Sequence, residues 1–139
     1  MCIILDANCI GDFNNSANED MKPVRQWLES RNGKIVYSDT EKFNREWNIG
    51  GGYQLRRQLQ RRNKLKLVSV QDVEEKENEL SGHIASDDEH IIALALITQV
   101  KVLVSNDKKL IGDFKDHVTQ GKVYQTKGHK HLLRKDTCP

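Results

Sequence analysis

The chain has 139 residues, enough for one domain around one core, and its 37% hydrophobic and 30% charged content describes a solvated globular protein rather than a disordered one. No segment reaches the roughly 20 apolar residues that span a bilayer, and Asp6 interrupts the N-terminal apolar run, so neither a membrane span nor a secretory signal is expected. The net charge of +2 conceals a sorting along the chain: Trp47 to Gln71 holds no acid, Asp72 to Glu89 sets eight acids against Lys76 alone, and His117 to Lys135 is again free of acids.

Taken in order, Cys2–Leu5 reads as a buried strand. Asp20 is placed to cap a helix with Pro23 in its first turn, running to about Arg31 and stopped by Gly33. Lys34 to Ser38 reads as a second strand, and Thr40 to Trp47 as a helix broken by Gly50-Gly51-Gly52. Tyr53 to Arg62 is helical again, with Leu55 and Leu59 turned inward. Leu65 to Val70 is a third strand and Val73 to Leu80 a short acidic helix. Ser86 and Glu89 have the spacing of a capping box before the apolar run Ile91 to Ile97, which predicts a buried helix opening at Ser86. Lys101 to Ser105 is a fourth strand, a short helix follows from about Lys109 to Phe114, and Lys122 to Gln125 supplies a fifth strand. This alternation predicts an α/β fold whose parallel sheet is covered by helices on both faces.

Cys2, Cys9 and Cys138 are odd in number and lack C-x-x-C pairing, so neither a zinc site nor a disulfide framework is indicated, and a reducing, cytoplasmic location is expected. Of the five histidines none shows metal-ligand spacing, and His90 is expected to be a hydrogen-bonded core residue.

Ligands of open parallel sheets bind at the carboxyl ends of the strands, near the point where strand order reverses. Two strands here run directly into carboxylates. Cys2–Leu5 leads into Asp6, and Val102 to Ser105 leads through Asn106 into Asp107. Asp88 lies at the start of the buried helix before strand four. Gathered together, these acids would repel unless a cation bridged them, and hard oxygen ligands favour magnesium or manganese over zinc. Taken singly, Asp107 also reads as a helix cap and Asp88 as a complement to the helix dipole.

At this point the motifs resemble a family. Leu5-Asp6-Ala7-Asn8 resembles the opening of PIN-domain nucleases. Ser86-Asp87-Asp88-Glu89-His90-Ile91-Ile92-Ala93 resembles their acidic motif on an Ala-rich buried helix. Val104-Ser105-Asn106-Asp107 resembles the motif that ends their fourth strand. The resemblance covers residues 1 to about 126 and leaves 127–139 as a basic C-terminal tail. The family's remaining acid stands on the helix after strand two, where Glu41 and Glu46 both qualify by position; Glu46, late on the helix, is the choice. Many relatives carry a further acid where this chain has Lys109.

The resemblance implies a three-layer α/β/α sandwich around a mostly parallel sheet of four to five strands. It implies hydrolysis of phosphodiester bonds, most often in RNA, with Asp6, Glu46, Asp88 and Asp107 as catalytic acids. Asp6, Asp88 and Asp107 would hold Mg2+ or Mn2+, with Asn8 and Ser105 orienting them. Arg56, Arg57, Arg61, Arg62 and Lys64 would contact the nucleic-acid backbone. Many short members are toxins silenced by an antitoxin protein, and both such a partner and a homodimer are compatible with this chain. A non-catalytic PIN-like module binding RNA or protein is the alternative. A haloacid dehalogenase-like phosphatase fits less well, because its D-x-D needs an acid where this chain has Asn8.

Overall fold

Cys2–Leu5, four consecutive apolar residues, forms a strand, β1, with every residue buried, as expected in a sheet covered on both faces. The computed structural model describes residues 2–30 and 32–134. Arg31, as the end of the first long helix, and Lys135 and Cys138 of the tail lie outside the described residues.

Strands β1, β2 (Lys34–Ser38), β3 (Leu65–Val68), β4 (Val102–Val104) and β5 (Lys122–Tyr124) form one five-stranded sheet in the order β3-β2-β1-β4-β5. Every pairing is parallel. With helices covering it, the sheet makes the expected three-layer α/β/α sandwich. The order reverses between β1 and β4, so those neighbours flank the crevice where an open sheet binds ligands.

The helices are α1 (Ile10–Asn14), α2 (Lys22–Ser30), α3 (Glu41–Ile49), α4 (Tyr53–Arg61), α5 (Val70–Leu80), α6 (Glu89–Thr98) and α7 (Lys108–His117). Each of three starts where a side chain accepts an otherwise unpaired backbone N–H: Thr40 from Phe43 (3.1 Å), Ser69 from Asp72 (3.3 Å) and Asp107 from Lys109 (3.0 Å). The α6 run Ile91 to Ala95 is buried all round, as its composition requires. No helix among the described residues is long and apolar enough to cross a membrane.

The structure departs from the sequence reading at identifiable places. After β1, in a segment for which the sequence offered no element, a 3-10 turn, Ala7–Cys9, leads straight into α1. Ser86 does not open α6. The helix begins at Glu89 with Asp88 as its cap residue, and the Ser86 Oγ instead accepts from the Asp88 N–H at 3.3 Å. The reason is long-range: the Asp113 carboxylate holds the Ala85 and Ser86 N–H groups and keeps that segment out of the helix. Asp20 is turned away from α2 as well, its carboxylate accepting from the Lys127 N–H at 3.1 Å and its carbonyl from the Tyr124 hydroxyl. Residues Lys127–Leu132 form a 3-10 helix against β5 and α2, with Leu132 and Leu133 packed on the core. Cys2 is disulfide-bonded, contrary to the reading of the cysteines, since an odd count still permits one bridge; Cys9 is a free, buried thiol.

Candidate metal centre

The β1–β4 register pairs Leu5 with Val104, which sets Asp6 beside Ser105 at the carboxyl edge of the sheet. The Asp6 N–H donates to the Val104 carbonyl at 3.0 Å, so its backbone still belongs to the sheet. Its side chain is 4% exposed, with one oxygen accepting from the Ser105 hydroxyl at 2.7 Å and the other from the Asn8 N–H at 3.3 Å. The same Ser105 oxygen accepts from the Asp107 N–H at 3.1 Å. One buried hydroxyl thus ties together the segments carrying two acids. Asn8 acts on Asp6 through its backbone, while its side chain is exposed at the cleft.

Asp6, Glu46, Asp88 and Asp107 all open onto one cleft of about 410 Å3, with Ile49, Gly50, Asp87 and Lys109 along its margin. Asp107 reaches it while capping α7 through bonds from the Lys109 and Leu110 N–H groups, so the capping reading of that residue holds as well. Asp88 makes no side-chain cap bond, which leaves its carboxylate to the cleft. Glu41 lines a different cleft, with Glu74 and Glu77, so of the two candidates on α3 it is Glu46 that faces the other acids. Gly50, just beyond α3, makes the approach possible: a Cβ there would stand 2.9 Å from the Ala7 carbonyl oxygen.

Asp6 and Asp88 are electrostatically strained. Burial raises the affinity of Asp6 for a proton above the ordinary carboxylate value against the Ser105 and Asn8 hydrogen bonds, and the charges of Asp107 and Glu46 add to the rise. Burial, followed by the charges of Glu46, Asp6 and Asp107, pushes Asp88 up to about 6 despite the nearby His90. Glu46 moves the other way. Burial alone would raise it, but contact with His90 and the charges of Lys42 and Arg45 outweigh burial and lower it. Carboxylates that disfavour one another's charge form a place for a cation. Their hard oxygens suit a divalent cation; among the described residues, the group whose ligand atoms lie within 4.8 Å of one another is Glu46, Asp88 and His90, while Asp6 and Asp107 open onto the same cleft without joining that group. The buried Cys9 thiol, raised to about 12 by burial and then by Asp6, cannot serve as a thiolate nucleophile near neutral pH.

Two residues at the site were not legible as such. His90 is 1% exposed, as expected of a core residue, but it is not hydrogen-bonded: neither ring nitrogen has a formed hydrogen bond. Its Nε2 lies 2.7 Å from Oε2 of Glu46, an ion-pair distance, and this contact helps to lower the Glu46 carboxyl. Its only sequence signal is a polar ring on an otherwise apolar helix. Asp113 gives no local signal. It is 5% exposed and accepts from the Ala85 N–H at 3.0 Å and the Ser86 N–H at 2.8 Å, bracing the segment that presents Asp88. Asp113→Ala strands two N–H groups and is expected to cost about 2–3 kcal/mol of stability; urea unfolding of the two proteins measures it, and a change below about 0.5 kcal/mol would show that the brace is dispensable.

The basic stretch does not form one face. Arg56 lies 5.2 Å from the Tyr37 ring centroid and pairs with Asp39, because the helix turns it toward β2. Arg62 and Lys64 line a separate cavity of about 590 Å3 among α1, α2 and α4, whose walls include Leu28, Leu55 and Leu59. This larger cavity holds no cluster of acids. Arg57 and Arg61 are exposed on α4, with Arg57 5.8 Å from the centroid of the exposed Tyr53 ring.

No family model, no curated protein and no solved structure matches the chain.

Proposed function

We propose that this chain is a divalent-metal-dependent nuclease of the PIN type, hydrolysing phosphodiester bonds with RNA as its substrate. The observation that carries the reading is the convergence of Asp6, Glu46, Asp88 and Asp107 in one cleft at the point where the strand order reverses. Asp6, Asp88 and Asp107 would hold Mg2+ or Mn2+. When bound, such an ion lowers the pKa of a water and offsets charge on the scissile phosphate and the leaving oxygen. The protein's part is to keep the carboxylates oriented and close. Ser105 does this for Asp6 by a direct bond and for Asp107 through its backbone. The choice of RNA, and of an antitoxin as partner, rests on the sequence resemblance.

The untagged protein incubated with a mixed RNA pool is expected to cut it in manganese or magnesium and not in excess EDTA. Melting temperature should rise with metal concentration, as for any ligand that binds only the native state. Unchanged melting up to millimolar manganese would remove the metal centre from consideration. Metal binding and RNA retention without cleavage in any divalent ion would favour the non-catalytic alternative.

Of the basic residues, Arg57 and Arg61 are the exposed pair four residues apart on α4. Replacing both with Ala should weaken RNA binding and reduce the slope of log affinity against log salt by about 2, one for each phosphate that is no longer neutralised. Titrations at several salt concentrations test this, and an unaltered slope would make α4 a solvated face only.

A further inference from the structure

We infer that Glu46, Asp88 and His90 form a mixed nitrogen–oxygen subsite that takes a first-row divalent transition metal in preference to magnesium, with an imidazole nitrogen of His90 as a direct ligand. This rests on the metal-centre reading above and adds a ligand and a selectivity that the four carboxylates do not supply.

One oxygen from each acid and one ring nitrogen lie within 4.8 Å of one another. Ligands at about 2.0–2.3 Å from a shared ion stand no farther apart than this. The ring is 1% exposed, yet both its nitrogens lack a formed hydrogen bond, which is unusual for a buried polar group. It cannot easily turn to find another partner. Phe43 meets it edge-on, with ring centroids 4.6 Å apart, and α6 fixes its backbone. Nε2 therefore stays 2.7 Å from Oε2 of Glu46 without a formed hydrogen bond. A cation between nitrogen and oxygen would satisfy both. Asp88 is free to join because its carboxylate is not spent on the helix cap.

The selectivity follows from the donor set. Magnesium prefers oxygen, keeps much of its water and tolerates little departure from an octahedron. Imidazole suits the transition metals, whose affinity for a given site rises from manganese onward. Asp88, facing both this group and the remaining acids, would be shared with Asp6 and Asp107.

The test is pulsed electron paramagnetic resonance of the untagged, full-length protein loaded with Mn2+. Modulation from a directly bound 14N nucleus is expected, and it should change to the 15N pattern on labelling with 15N-histidine. In His90→Gln that modulation should vanish, and the ratio of manganese to magnesium affinity should fall about tenfold. Bound manganese without nitrogen modulation would overturn the inference and leave the carboxylate centre standing, as would modulation that persists in His90→Gln. No manganese binding at all would overturn both. The wild-type spectrum alone decides the question of the ligand if the variant fails to fold.

Discussion

Asp6→Asn is expected to reduce metal-dependent RNA cleavage by at least about a hundredfold, the scale seen when one preorganised electrostatic group is removed from a reaction centre. The amide keeps the shape of the carboxylate and can still accept from Ser105, so RNA affinity should change little. The same substitution should leave the metal-free fold equally stable or more stable. Asp6 is 4% exposed, and its proton affinity is raised chiefly by burial, so its charge at neutral pH works against the native state until a cation offsets it. Loss of cleavage with preserved or raised metal-free melting temperature is the signature of a site held under strain for function. Cleavage rates and melting curves in EDTA and in manganese supply the readout. Wild-type cleavage by the variant would move the reaction centre away from Asp6.

The second large effect is an inverted pH dependence. Metal-free protein should become more stable as pH falls from about 7.5 toward 5. Asp88 titrates at about 6 in the folded chain against 3.8 unfolded, and Asp6 is raised in the same direction. Between those values the native state binds more protons than the unfolded chain, so stability rises as pH falls through the folded value and the gain is complete near the unfolded one. A shift of that size corresponds to about 3 kcal/mol before solvent screening, and about 1–2 kcal/mol is expected at this partly open cleft. Glu46, which is lowered, acts oppositely, but its contribution is lost only below its unfolded value of 4.5, outside this window. Saturating manganese should reverse the slope, because protons then compete with the metal for the same oxygens. Urea unfolding across the pH series, with EDTA and with manganese, measures both slopes. A metal-free slope that rises with pH would mean that the carboxylates do not strain one another.

Much of this was legible locally. Apolar runs of strand length that end in aspartate mark β1 and β4, and parallel pairing of those strands is enough to bring Asp6 and Asp107 to one edge. The alternation of strands and helices was sufficient for the three-layer sandwich. What was not legible depended on contacts far along the chain. The spacing of Ser86 and Glu89 is that of a helix start, and only Asp113, 27 residues beyond Ser86, holds the N–H groups that such a start would have used. Arg56 reads as one more cation in a basic stretch, and only the fold brings Asp39 and the Tyr37 ring to it. His90 reads as core by its helix, and its unmet nitrogens emerge only once α3 delivers Glu46.

The close approach at Gly50 bears on how this protein can change. Helix α3 ends against the turn that follows β1 with main chain touching main chain, since a Cβ at position 50 would meet the Ala7 carbonyl oxygen at 2.9 Å. The separation between the main-chain segments that carry Glu46 and Asp6 is therefore set by backbone contact. Ile49, 81% exposed, and the exposed Lys109 stand at the margin of the same cleft, outside that close approach. Substitutions there can alter what enters the cleft while the main-chain contact that sets α3 against the turn after β1 stays as it is.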